Sequence, residues 1–265
     1  MDAGVLFEWI SCSTSEGISV LSLNRPPVNA LNSVMVGEIS RWLDRAAEKI
    51  AAGQLRVVVL RAEGKHFCAG ADLKERRNIP EEEVEVIVSS IRNTLQKLAE
   101  LPVPVIAAIQ GAAMGGGLEL ALAADFRILS EGARVGLPET SLSIIPGAGG
   151  TQRLARLIGY SNALYWIVTA RAFSAKEAQK FGVANLVVSK TDLLPTAMNL
   201  AKEIAKNGPV AIRAAKKALQ EGLEVPLKEA LEIEKKYYAK TIFTEDRLEG
   251  IRAFLEKRPP RYKGK

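Results

Sequence analysis

The chain has 265 residues, 48% of them hydrophobic and 25% charged, with a formal net charge of +6. That is enough apolar residue to build a sizeable core, and it excludes an intrinsically disordered chain. The two cysteines, Cys12 and Cys68, are in no metal-ligand spacing and are too few for a disulfide scaffold, so a reducing compartment fits best and no metal is expected.

No apolar run approaches the ~20 uninterrupted residues of a membrane span, because Glu119, Asp125 and Arg127 punctuate the longest candidate. Residues 1–9 carry neither a secretory signal nor the Arg-rich, acid-poor character of a mitochondrial presequence. A cytoplasmic protein is the expectation, and a trimmed mature form from the mitochondrial matrix would read the same. The positive charge tolerates anionic partners without choosing among them.

In chain order, alternating residues on either side of Ser15-Glu16-Gly17 predict a hairpin over 6–14 and 18–23. Arg25-Pro26-Pro27 ends it. Asn32-Ser33 then caps a helix over 34–52, with Ile39, Leu43, Ala46 and Ile50 at helical spacing. Val57-Val58-Val59-Leu60 is a short β-branched run of the kind buried on both faces of a sheet. A helix over 81–100 follows, its acids at the positive end of the dipole and Val84, Ile87, Val88, Ile91, Leu95 and Leu98 inward. Residues 104–109 form the next strand.

Gly115-Gly116-Gly117 interrupts this regularity. Three glycines weaken any regular element by ~1 kcal/mol each relative to alanine, so close backbone approach or positive φ is the reason to have them. The good helix formers of 117–124 predict a helix starting near Gly116, whose free N–H groups attract negative charge, with Glu119 one turn in. Strands over 126–129 and 134–137 come next, and then Pro138-Glu139 and Ile145-Pro146-Gly147. Two glutamates brought to one end of a sheet are an acid/base pair if their surroundings separate their pKa values. From Thr151 onward the chain predicts helices over 151–158, 163–170, 175–181, 193–206, 209–221, 226–241 and 244–257, with a capping box at Ser174 and Glu177. His66, the only histidine, reads as structural, and Cys68 as a small packed residue.

Asn24-Arg25-Pro26, Phe67-Cys68-Ala69-Gly70-Ala71-Asp72-Leu73-Lys74, Gly115-Gly116-Gly117-Leu118-Glu119 and Pro138-Glu139 with Ile145-Pro146-Gly147 stand in the order of the enoyl-CoA hydratase/isomerase (crotonase) superfamily, which the chain resembles. Ala71 to Arg76 and the ending from Asp246 to Gly264 are most similar to the methylglutaconyl-CoA hydratase branch that includes AU-rich-RNA-binding enoyl-CoA hydratase. The resemblance implies an α/β fold, a crotonase-like spiral of ββα units over 1–195, with a helical region over 196–265 that assembles homotrimers or homohexamers.

It also implies a lyase that adds water across the 2,3 double bond of an enoyl-CoA, with coenzyme A part of the substrate and no separate cofactor. Glu119 matches the glutamate that positions and activates water, and Glu139 the one that exchanges a proton at the α-carbon. Ala71 and Gly116 match the backbone donors of the oxyanion hole. Val28, Ala30, Ala69, Asp72, Leu73 and Lys74 match the CoA-binding segments, although Pro27-Val28 stands where relatives carry a basic residue, and Phe254 and Lys257 match C-terminal CoA contacts. The expected walls of the acyl pocket are residues 79–87, 142–145 and the helix after Gly150.

The alternatives are 3-methylglutaconyl-CoA hydration and double-bond isomerisation, the latter usually keeping only the carboxylate at the Glu139 position. RNA binding is disfavoured. The segment over 32–56 offers Arg41, Arg45, Lys49 and Arg56 offset by Glu38, Asp44 and Glu48, with Trp42 the lone aromatic of its helix, so weak, salt-sensitive, sequence-indifferent binding is expected.

Overall fold

The computed structural model describes residues 7–77 and 79–265. A hairpin, β1 (Ile10–Ser15) and β2 (Ile18–Leu23), opens the chain and α1 (Ser33–Ala51) follows, capped by the Asn32 side chain on the Met35 N–H at 3.0 Å. Residue 6, where the first strand was expected to begin, lies outside the described residues; the strand itself starts at Ile10 and runs one residue past 14.

Three turns of a spiral come next. In each, one strand enters a large sheet, a second segment crosses to a small one, and a helix closes the turn. β3 (Val57–Ala62) is followed by a bridge from Cys68 to Ala113, a short helix α2 (Leu73–Arg77) and then α3 (Glu81–Glu100). β4 (Val105–Ile109) is followed by β5 (Ala112–Met114) and α4 (Gly116–Leu122). β6 (Phe126–Ser130) is followed by β7 (Arg134–Gly136), a 3-10 turn (Pro138–Leu142) and α5 (Gly150–Ile158).

Then come α6 (Tyr160–Val168), β8 (Phe173–Ser174), α7 (Ala175–Lys180) and β9 (Leu186–Val188). The chain ends in α8 (Leu193–Ala205), α9 (Pro209–Gly222), α10 (Leu227–Ile242) and α11 (Glu245–Leu255). The large sheet has the order β1-β2-β3-β4-β6-β9, parallel except for the first pair, and the small one the order β5-β7-β8. This is the α/β spiral of ββα units expected from the sequence. The short pieces β5, α2, the 3-10 turn, β8 and β9 had too few residues to show a period.

Alternation along the central strands explains why they are apolar throughout. Val58, Leu60, Val105, Ala107, Ile109 and Leu129 face the larger core with α1, α3 and α4. Val57, Val59, Ile106, Ala108 and Ile128 face the opposite way, onto Leu193, Ala197 and Ala201 of α8. A domain boundary at residue 195 therefore falls inside α8, a helix that belongs to the sheet it covers. The Ser174–Glu177 capping box is present on α7. The N-terminal half of α3 is less buried than its periodicity suggests: Val84, Ile87 and Val88 are half-exposed, and Ile91, Leu95 and Leu98 carry the packing.

One polar contact ties α9 to this core. Lys216, 8% exposed, donates to the Val103 carbonyl at 3.0 Å and to Asp125 Oδ2 at 2.6 Å, and the same oxygen accepts from the Val105 N–H at 2.7 Å. Removing one partner of a buried pair leaves the other uncompensated and costs about 3 kcal/mol. We expect Lys216→Met to lower the melting temperature by several degrees, checked by calorimetry; an unchanged transition would show that the contact contributes nothing net.

Candidate active site

Glu119 stands one turn into α4 and is only 3% exposed. Its Oε1 accepts from the N–H groups of Ala148 and Gly150, both at 2.8 Å, in the loop leading into α5. Burial pushes its pKa up, and the two N–H groups with the charges of Arg153 and Arg92 pull it part of the way back. Glu139 sits in the first turn of the 3-10 helix, and its Oε2 is buried with no hydrogen-bond partner among the described residues. Burial is the main reason its pKa rises, to about 7; its own backbone N–H opposes the rise and the charge of Glu119 adds to it.

The glycines make this approach possible. Gly115 has φ +52° and lies so close to Glu139 that a Cβ there would meet Oε1 at 2.9 Å. At Gly117 an added Cβ would collide with the Cys68 carbonyl. Both positions need a residue without a side chain.

Two backbone amides complete the arrangement. Leu31 N–H donates to the Gly70 carbonyl and Asp72 N–H to the Leu31 carbonyl, each at 2.8–2.9 Å, so this parallel bridge uses the groups on either side of the Ala71 N–H and leaves that one facing away. Gly116 is the first residue of α4, where an N–H has no intrahelical acceptor. The two amides are neighbours: a Cβ on Gly116 would lie 3.5 Å from Ala71 N. Such a pair of donors suits a carbonyl oxygen that gains negative charge.

Glu119, Glu139, Ala71, Gly116, Ala69 and Leu73 line one cleft of about 940 Å³. Its other walls differ in part from expectation. Leu142 to Ile145 and the start of α5 are there, but α3 contributes Val88, Ile91 and Arg92 rather than residues 79–87, because the first turns of that helix are turned out of the cleft. Ser143 lines it in a left-handed conformation, φ +58°.

Asp72 does not line the cleft. Its Oδ2 pairs with Arg25 at 2.6 Å and its Oδ1 accepts from the Lys74 and Glu75 N–H groups, so that, against the effect of burial, Arg25 and these amides hold its carboxyl below the usual range. Arg25 also donates to the Ala30 carbonyl at 2.8 Å. The Asn24-Arg25-Pro26 motif therefore holds the 25–31 loop against 70–75. Val28 is half-buried and its carbonyl accepts from the Ala69 N–H, while Lys74 is exposed. Phe254 and Lys257, at the end of α11, are exposed and do not line the cleft of their own chain.

His66 accepts the Ala112 N–H on Nδ1, and its carbonyl accepts from Asn29, a loop-fastening part. Burial pushes the Cys68 thiol up to about 12, far from a nucleophile's range. Arg92 lies in no motif of the sequence, and Arg76 and Arg153, which close the 71–76 and 145–153 stretches, were given no role there. Among the described residues no group of His, Cys, Asp or Glu could hold a metal ion, and no helix is long and apolar enough to cross a membrane.

A double-layered ββα spiral with two glutamates and two neighbouring amides in one cleft defines a crotonase-type site. Residues 13–265 match the Enoyl-CoA hydratase/isomerase family, and the chain belongs to it. It is 50% identical to YngF of Bacillus subtilis over 94% of this chain and 96% of that one. It is 47% identical to the mitochondrial methylglutaconyl-CoA hydratase of Mus musculus, covering 94% of this chain and 81% of that one. A crystal structure of an enoyl-CoA hydratase from Bacillus anthracis superposes with a TM-score of 0.95 at 48% identity, over 97% of this chain and 100% of that one.

The raised pKa of Glu139 has a thermodynamic consequence. A carboxyl raised from 4.5 to about 7 favours the folded state while protonated, and that contribution is lost as pH climbs through the folded value. The melting temperature of the wild type relative to Glu139→Gln should therefore fall between pH 4.5 and 7 and be level beyond it. Paired thermal melts across pH 4–9 check this; a constant difference would mean that Glu139 is not raised.

Proposed function

We propose that the protein is an enoyl-CoA hydratase that adds water to a 2-enoyl-CoA thioester and gives the 3-hydroxyacyl-CoA. The observation that carries this is the pair Glu119 and Glu139 in one cleft, in surroundings that set them apart. Glu119, with its ionised form supported by two N–H groups, takes a proton from water as the oxygen attacks Cβ. The thioester carbonyl becomes an enolate held by the N–H groups of Ala71 and Gly116. Glu139, protonated below about pH 7, then delivers its proton to Cα.

An isomerase needs one carboxylate to move a proton, and the elaborate hold on Glu119 would then have no task. Glu119→Gln and Glu139→Gln should each lower kcat on crotonyl-CoA by about 100-fold or more. A fully active Glu119→Gln enzyme would shift the reading to isomerisation.

A second reading concerns the acyl group. Among the described residues, the charged side chains lining the cleft besides the two glutamates are Arg76 and Arg92. A purely hydrocarbon tail gains nothing from them, whereas an acyl group ending in a carboxylate, as in 3-methylglutaconyl-CoA, does. We expect kcat/KM to favour 3-methylglutaconyl-CoA over crotonyl-CoA, and Arg92→Met to cut that ratio about tenfold, a loss of ~1.4 kcal/mol. Equal or greater efficiency on crotonyl-CoA in the wild type would remove the acidic-tail reading.

Assembly into trimers or hexamers belongs to the same proposal. It is supported by large apolar side chains left exposed on α10 and α11, Leu227 at 74%, Phe254 at 83% and Leu255 at 75% among them. Phe254 and Lys257 would then serve a neighbouring subunit's CoA. RNA binding gains no support from α1, where Trp42 is 5% exposed and has no face to offer a base.

A further inference from the structure

Among the described residues, Glu119 has no side-chain donor. Its hydrogen bonds come from the Ala148 and Gly150 N–H groups, so the carboxylate is only as well placed as the loop that carries them. Two arginines grip that loop, Arg92 from the cleft wall and Arg153 from outside it. Arg92 Nε donates to the Gly147 carbonyl at 2.9 Å. Gly147 C=O and Ala148 N–H are opposite ends of one peptide group, so Arg92 polarises the unit that donates to Glu119. Arg153 Nη1 donates to the next carbonyl, that of Ala148, at 3.0 Å, and its Nη2 reaches across to Gln96 Oε1 on α3 at 2.6 Å.

The guanidinium fork thus fastens the loop to a helix from the spiral's preceding turns. A lysine, with one rotatable ammonium, would not span both acceptors in a fixed geometry. Arg153 is half-buried and does not line the cleft, so it has no substrate contact to lose.

We propose that Arg153 is a positioning residue for Glu119: it fixes the two loop N–H groups on the carboxylate and places a positive charge near it. The proposal rests on the reading of Glu119 as the base that activates water. The charged groups that face Glu119 are Glu139 from the 3-10 turn, Arg92 from α3 and Arg153 from α5, and Arg153 is itself faced by Glu119 and Glu100. Of these, Arg153 and Arg92 oppose the upward push of burial on Glu119, and Glu139 shares the site with it.

The test uses the full-length enzyme with crotonyl-CoA, measuring kcat, KM and the pH profile of kcat for wild type, Arg153→Met, Arg153→Lys, Gln96→Leu and Glu119→Gln, with a thermal melt for each. Misplacing a base by a fraction of an ångström is expected to lower kcat of Arg153→Met about tenfold to 100-fold, with KM within about twofold. The acid limb of its profile should move to higher pH. Arg153→Lys should return the limb toward its wild-type position while recovering only part of kcat.

An unmoved acid limb in folded Arg153→Met, or a kcat that falls only with the folded fraction, overturns the proposal. If Arg153→Met does not fold, Gln96→Leu decides, since it removes one end of the fork at an exposed position: a fall in kcat of about threefold supports the positioning role, and an unchanged kcat ends it. Full activity in Glu119→Gln removes the hydratase reading and the proposal together. An inactive Glu119→Gln beside an unaltered Arg153→Met removes the proposal alone.

Discussion

The close approach of the Cys68 carbonyl to Gly117 is the constraint on which the site is built. No Cβ fits between them. Two backbone hydrogen bonds, Cys68 N–H to the Ala112 carbonyl and Met114 N–H to the Cys68 carbonyl, both at 3.0 Å, seal the loop after β3 to the strand before α4. Once that seam is closed, the Ala71 and Gly116 N–H groups have no choice but to be neighbours, although 45 positions separate them in the chain. The donors of the candidate oxyanion hole are thus fixed by main chain, and the side chains of these residues matter chiefly by being small. Glycines at a helix start lose ~1 kcal/mol each, and the full burial of Leu118, Leu120 and Ala121 directly behind them offsets it.

The same seam links stability to chemistry. α4 is short, seven residues, and such a helix has no standing of its own in water. It is held at one end by the Cys68 contact and near the other by buried Arg127, whose guanidinium donates to the carbonyls of Ala124 and Val183 at 2.7 Å. Asp125, between them, accepts from Val105 and Lys216. Glu119 lies in the middle of a helix fixed at both ends, which is why a loop on one side is enough to hold its carboxylate.

How much of this was legible in the sequence follows from where each signal comes from. β3 and β4 were legible because a strand buried on both faces is apolar without interruption, and α1 because Asn32 and its inward residues repeat at helical spacing. The short β5, β8 and β9, three residues or fewer each, were not, since their strand character comes from pairing partners distant in sequence. Glu119, Glu139, Ala71 and Gly116 were chosen by their motifs, and the fold brings all four to one cleft. Asp72 carries the same motif signal, yet its carboxylate is turned to Arg25, because pattern matching fixes a position and not the direction of a side chain. Arg92 gave no signal and Arg153, at the end of a glycine-rich motif, had no role assigned: their contacts are with two carbonyls in a loop that only the folded chain brings within their reach.

The two carboxylates differ in a way that the proposed addition of water, and its reverse, would use. Both are buried, and burial pushes both toward the neutral form. The N–H groups of Ala148 and Gly150 break the symmetry by opposing that push on Glu119, while Glu139, with one oxygen lacking a partner among the described residues, keeps the rise that burial imposes. Charge on Glu119 in turn raises Glu139, so ionising one makes the other a better proton carrier. In the proposed hydration, a proton delivered by Glu139 to Cα would leave its carboxylate charged as Glu119 takes one from water, so the net charge of the pair would be the same before and after. With that balance preserved, neither the surrounding dipoles nor the two arginines need to rearrange, and the step can run in either direction on the same fixed scaffold.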